Sequence, residues 1–172
     1  QPREISGGTT RCQRHEDWRL FRGIDGELYS NFTNYYYFNK GYPQQVPCAR
    51  TCISRIKGDR MEFLDELNAS KYIQMNREEK NWLIFSHKDR HFCLYRAEPY
   101  TLLEMGDSFE ILGVARLLKL KMKRLLDSFL ANGSNPVFHE NKKFGKHYVS
   151  ICHNYTHAPE SNKRNRTYFH YA

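Results

Sequence analysis

The sequence predicts an all-β fold, an antiparallel barrel with one C-terminal α-helix, on three observations. Aromatic residues make up 15% of the 172 residues, with 12 Tyr and 11 Phe, which suits pleated strands better than helices. Short apolar or aromatic runs recur along the chain, separated by turn residues. Only one stretch has helical periodicity. On a wheel of 3.6 residues per turn, Leu118, Met122, Leu125, Leu126, Phe129 and Leu130 share one face, and Arg116, Lys119, Lys123, Arg124 and Asp127 fill the other. Asn132-Gly133 and Asn135-Pro136 stop it. A lone amphipathic helix is expected to dock on the outside of a structure built from strands.

Taken in order, residues 1–14 read as a loose polar arm, 15–152 as one domain, and 153–172 as a polar, basic tail. Within the domain, His15 to Phe21 (HEDWRLF) has the spacing of a single helical turn, with Trp18 plugging one end of the core. LYSNFTNYYYF, after Asp25-Gly26, is the strongest strand. It contains the sequon Asn31-Phe32-Thr33, and a glycan at Asn31 must face water. Alternation then sends Phe32, Asn34, Tyr36 and Phe38 inward. CARTCISRIKG is the next strand. In MEFLDELN the same logic at Asn68 turns Met61, Phe63, Asp65 and Leu67 inward. KYIQM is a short strand, NREEKN a polar turn, and WLIFS and HFCLYR form a hairpin across HKDR. FEILG and HYVSI flank the helix.

The chain begins at Gln1 and not at Met, which fits a removed leader, and no apolar run is long enough to span a bilayer. Five sequons, at Asn31, Asn68, Asn132, Asn154 and Asn165, point to a secreted, extracellular glycoprotein. The five cysteines are odd in number, so two disulfides are expected with one cysteine left over. Cys48 and Cys52 lack a second Cys/His pair at matching spacing, which argues against zinc. The net charge of +8 favours acidic partners, and secretion argues against nucleic acid among them.

These elements, EDW near the start, the aromatic strand ending in YYYF, Cys48 after it, WLIFSHKDRHFCLY, FEIL, the helix and a last strand closing on Cys152, resemble those of the tick salivary lipocalins. The resemblance runs from about His15 to Cys152. It implies an eight-stranded antiparallel lipocalin barrel that scavenges a host mediator or modulates host immune cells, with no cofactor. It also implies a Cys48–Cys152 disulfide, and leaves Cys93 bonded to Cys12 or Cys52 or unbonded. The family's amine-binding branch has an acid after the cysteine that matches Cys93, where this chain has Leu94. Glu110 matches the later acid of that branch.

The expected ligand is therefore a small hydrophobic molecule such as a sterol (cholesterol), fatty acid or eicosanoid. Its wall would be Phe32, Tyr36, Phe38, Met61, Phe63, Leu67, Phe92, Leu94, Glu110 and Leu112. Two alternatives stand beside it. One is a scavenger of biogenic amines such as histamine or serotonin, using Glu110. The other is a surface that binds host immune cells or a plasma protein. Plainer roles compete with each site: inward aromatics also fill cores, a basic helix face is usually just solvated, and Glu110 also suits an internal partner. His87 and His91 bracket a turn, which favours exposed loop histidines over metal ligands. No Ser/His/Asp or Cys/His arrangement suggests an enzyme.

Overall fold

The computed structural model describes residues 10–38, 46–76, 79–118, 130–157 and 166–171. Strands β1 (Thr10–Arg22), β2 (Leu28–Phe38), β3 (Val46–Lys57) and β4 (Arg60–Glu66) form one antiparallel sheet in that order. Strands β5 (Leu83–His87), β6 (Arg90–Arg96), β7 (Tyr100–Met105) and β8 (Ile111–Leu118) form a second. β9 (Ala131–Asn132), β12 (Cys152–His157) and β13 (Arg166–Tyr171) make a small third sheet, and β10 (Val137–Asn141) and β11 (Gly145–Val149) make a hairpin.

The first two sheets share one core. Phe21, Tyr29 and Ile53 enter it from the first sheet, Leu67 and Ala69 from the segment after β4, and Trp82, Ile84, Cys93, Tyr95, Leu103 and Met105 from the second sheet and its approach. Phe109, in the β7–β8 turn, closes one end. This filled interior corrects the expectation of a closed eight-stranded barrel. Among the described residues no ladder joins the two sheets, and the large aromatics occupy the space a barrel would leave as a lumen.

The C-terminal helix is corrected as well. No helix occurs among the described residues. Residues 111–118, where the helical stripe begins, pair instead with β7, from Met105–Ile111 to Tyr100–Leu118. Residues 119–129, which carry Met122, Leu125, Leu126 and Phe129, lie outside the described residues. The stretch His15 to Phe21, read as a helical turn, is strand. The arm and the tail also contribute to sheets, since β1 starts at Thr10 and β12 and β13 lie at or beyond residue 152.

The main lesson of the packing is one of register. Asn31 is 1% exposed, stands opposite Ile53 on the core face, and donates Nδ2 to the Trp82 carbonyl at 2.8 Å. Phe32 therefore lies on the other face, where Trp18 stacks on it at 4.1 Å. A one-residue change of face reverses a whole strand. In β6 the core takes His91's neighbours Cys93 and Tyr95, leaving Phe92 and Leu94 on the opposite face. In β8 it takes Ile111, leaving Leu112 outside. In β4 a bulge at Leu64, between the Ile53–Asp65 and Ser54–Phe63 pairs, turns Leu64 toward the core and leaves Met61 and Phe63 exposed.

The second sheet has an apolar layer on its outer face too. Leu83 pairs with Leu94, and Phe85 with Phe92. The β10–β11 hairpin covers part of this layer through Tyr148, 4.9 Å from Phe85 between ring centres. Its hydroxyl meets His87 Nδ1 at 2.8 Å.

Candidate functional site

Three hairpin turns meet at one end of the two sheets. The β1–β2 turn is closed by Gly23 N–H donating to the Glu27 carbonyl at 2.9 Å, with Gly26 in the left-handed region at φ 79°. The β5–β6 turn is the two-residue loop Lys88-Asp89, with Lys88 itself at φ 55°. In the β7–β8 turn, Gly106 N–H donates to the Glu110 carbonyl and Phe109 N–H to the Gly106 carbonyl, with Phe109 at φ 66°. Glycine normally fills such a position. Phe109 is held there by its ring, which packs against His91 at 4.5 Å, Tyr29 at 4.8 Å and Phe21 at 5.7 Å.

Between these turns lies a cleft of about 560 Å³ lined by Ile24, Asp25, Lys88, Asp89, His91 and Asp107. Its charge is three carboxylates against one ammonium. Asp25 is fixed by two hydrogen bonds, Oδ2 accepting from Tyr29 Oη at 2.6 Å and Oδ1 from Glu27 N–H at 3.0 Å. The Tyr29 bond holds its carboxyl below the usual range, so it is ionised near neutral pH. Gly23 is required here, because a Cβ would sit 2.5 Å from Tyr29 Cε2 and 2.6 Å from Asp25 Oδ1.

His91 is 2% exposed. Its Nδ1 lies 3.0 Å from Ser86 Oγ, and Ser86 Oγ donates its own proton to the Arg22 carbonyl at 2.7 Å. Oγ can then only accept, so Nδ1 carries the ring proton and Nε2 keeps a lone pair. Burial pushes the His91 pKa down, opposed by Asp25 and Asp107. The cleft thus combines a neutral imidazole with carboxylates on three sides. Ser86 is not an activated nucleophile here, since a backbone carbonyl takes its proton.

The predicted wall residues whose side chains are described do not converge on this cleft or on one another. Phe32, Leu67 and Leu94 are buried, Phe92 is half-buried, and Met61, Phe63 and Leu112 are exposed, Phe63 by 58%. Tyr36 and Phe38 lie where the side chains fall outside the described residues. Glu110 is exposed, but it belongs to the same turn as Asp107, with its carboxylate folded over Gly106. Cys48 and Cys152 are both buried and are not bonded to each other; Cys152 packs with Ala97 and Leu130, in a cluster that Cys48 does not join. Of the sequons, Asn68 is exposed, Asn31, Asn132 and Asn154 are buried, and Asn165 lies outside the described residues. Asn132 donates Nδ2 to the carbonyls of Asn81 and Leu94, both at 2.9 Å.

Sequence reasoning missed Asp25, Asp89 and Asp107 because each sits in a turn, where Asp is common for local reasons. It also missed Glu79, buried in what reads as a polar turn. Glu79 accepts from Trp82 Nε1–H at 3.2 Å, Tyr95 Oη at 2.9 Å and the Asn76 backbone N–H. A Glu three residues before a Trp was the available signal. No group of three or more His, Cys, Asp or Glu that could hold a metal occurs among the described residues, and no helix among them is long and apolar enough to cross a membrane. Comparison with known proteins gives no matching family model and no matching curated protein.

Proposed function

We propose that the protein is a secreted binding protein for a small cationic amine, taken up in the cleft between the three turns. The observation that carries this reading is the lining of Asp25, Asp89 and Asp107 around a neutral His91. An ammonium group leaving water needs carboxylates to offset its desolvation and acceptors for its protons. Asp25 supplies a pre-oriented carboxylate, and His91 Nε2 an acceptor. A sterol or fatty acid finds less support, because its expected wall is split between the core, the outer faces and solvent. The exposed sequon at Asn68 supports an extracellular setting, and the resemblance to the mediator-scavenging salivary proteins of ticks supports the class of activity.

Calorimetric titration with histamine and serotonin, set against cholesterol and a fatty acid, tests the proposal. Amines are expected to bind, and Asp107→Asn to weaken them roughly fivefold, the worth of one partly solvated ion pair at about 1 kcal/mol. Binding of the sterol or fatty acid with no heat from either amine would overturn the reading, as would amine binding unchanged in Asp25→Asn and Asp107→Asn together.

A further inference from the structure

The β10–β11 hairpin carries two histidines in direct cross-strand register. His139 stands opposite His147, with ring centres 5.1 Å apart and planes at 83°. Such a pair brings side chains within reach of a common ligand. His147 Nδ1 lies 2.9 Å from the Gly145 carbonyl oxygen. A carbonyl only accepts, so Nδ1 carries a proton, and in the neutral ring it is Nε2 that keeps the lone pair and is left for a metal. Metal-bound histidines are oriented in the same way, the far nitrogen donating to a backbone carbonyl.

The hairpin is also anchored. On the other face, Tyr148 packs against Phe85 and Phe138 and meets His87, while alternation keeps Glu140 and Lys146 off the histidine face. His139 is exposed and His147 partly so. An ion can therefore reach both rings without rearrangement of the core.

We propose that His139 and His147 form a two-imidazole surface site for a divalent transition-metal ion. Two imidazole nitrogens without a carboxylate favour Cu²⁺ over Ni²⁺ and Zn²⁺, and exclude the oxygen-seeking Ca²⁺ and Mg²⁺. Water or buffer fills the remaining coordination positions. A second cross-strand pair, His153 and His170, has ring centres 6.1 Å apart, yet the two cations Arg19 and Lys80, against the one carboxylate of Asp17, act on His153 from nearby. Those cations oppose a metal ion, which makes this pair an internal control. The site is independent of the amine cleft.

Titration of the full chain with CuSO₄, followed by calorimetry and electron paramagnetic resonance, tests the site. The tightest equivalent should show two imidazole nitrogens. His139→Asn and His147→Asn should each weaken it by about tenfold or more, and His153→Asn should leave it unchanged. Unchanged affinity in either of the first two variants, or loss in the third, overturns the proposal. In the unaltered protein, one equivalent of Cu²⁺ should protect His139 and His147 from diethyl pyrocarbonate ahead of the other histidines. Labelling of both at the metal-free rate would overturn it without any variant.

Discussion

At the scale of the residue, His91 couples the cleft to pH. Its folded pKa is depressed by burial, with Asp25 and Asp107 pulling the other way. As pH falls below about 6.5 the unfolded chain takes up this proton first, so the unfolded state binds more protons than the folded one. The stability that His91 contributes is therefore intact above that pH and is lost as pH falls through the depressed folded value. His91→Asn keeps a donor for Ser86 Oγ and removes the titration. Thermal unfolding of the wild type should lose more stability than the variant between roughly pH 7.5 and 5.5. Equal losses would show that His91 is not the group responsible. Amine affinity should hold through the start of that window and fall at lower pH, as the folded ring titrates through its depressed value, since a protonated ring repels an ammonium and offers no acceptor.

At the scale of the element, the turns set both the site and local strain. Lys88 occupies a left-handed position that glycine takes without steric cost, and it is the only cation among the cleft's lining residues. Lys88→Gly should therefore raise stability by up to about 1 kcal/mol and tighten amine binding roughly fivefold. Urea unfolding and calorimetry read the two effects, and weaker amine binding would count against the electrostatic account of the cleft. The segment before β5 works differently. Glu79 is buried and satisfies Trp82 and Tyr95, both core residues. Glu79→Ala strands two buried donors, at about 1 to 3 kcal/mol each. A loss of roughly 2 to 6 kcal/mol in urea unfolding is expected, and a loss below 1 kcal/mol would mean that other groups replace the carboxylate.

At the scale of the whole molecule, two sheets closed on a solid aromatic core leave ligand access at the turns, away from the interior. The same packing governs modification. Asn31 and Asn132 have their Nδ2 atoms committed to backbone carbonyls inside the fold, and Asn154 is also buried. A glycan would replace a hydrogen on that nitrogen and could not be housed there. Asn68 is exposed, with its Oδ1 accepting from the Ser70 N–H at 2.9 Å and its Nδ2 unused in that turn. In protein from a secreting eukaryotic host, peptide mapping should find a glycan at Asn68 and none at Asn31, Asn132 or Asn154. Occupancy at Asn31 in folded protein would contradict the register of β2 described above.

The sequence by itself determined most of the strands, though it read the middle of β1 as a helical turn and placed a strand at KYIQM where none forms. Aromatic density, β-branched runs and turn residues are local signals, and β2, β3, β4, β5, β6 and β8 lie where the corresponding runs stand, because backbone pairing needs only a segment of the right length and propensity. The face each strand buries was left to the tertiary structure. Asn31 carries a sequon, but alternation gives two faces of equal standing, and the contact with the Trp82 carbonyl, 51 residues away, decides between them. The bulge at Leu64 and the left-handed Phe109 reverse faces for the same reason: each is held by long-range packing that no local pattern encodes. The cleft follows from those choices. Asp25, Asp89 and Asp107 are ordinary turn residues along the chain, and only the meeting of three hairpins brings their charges to one place.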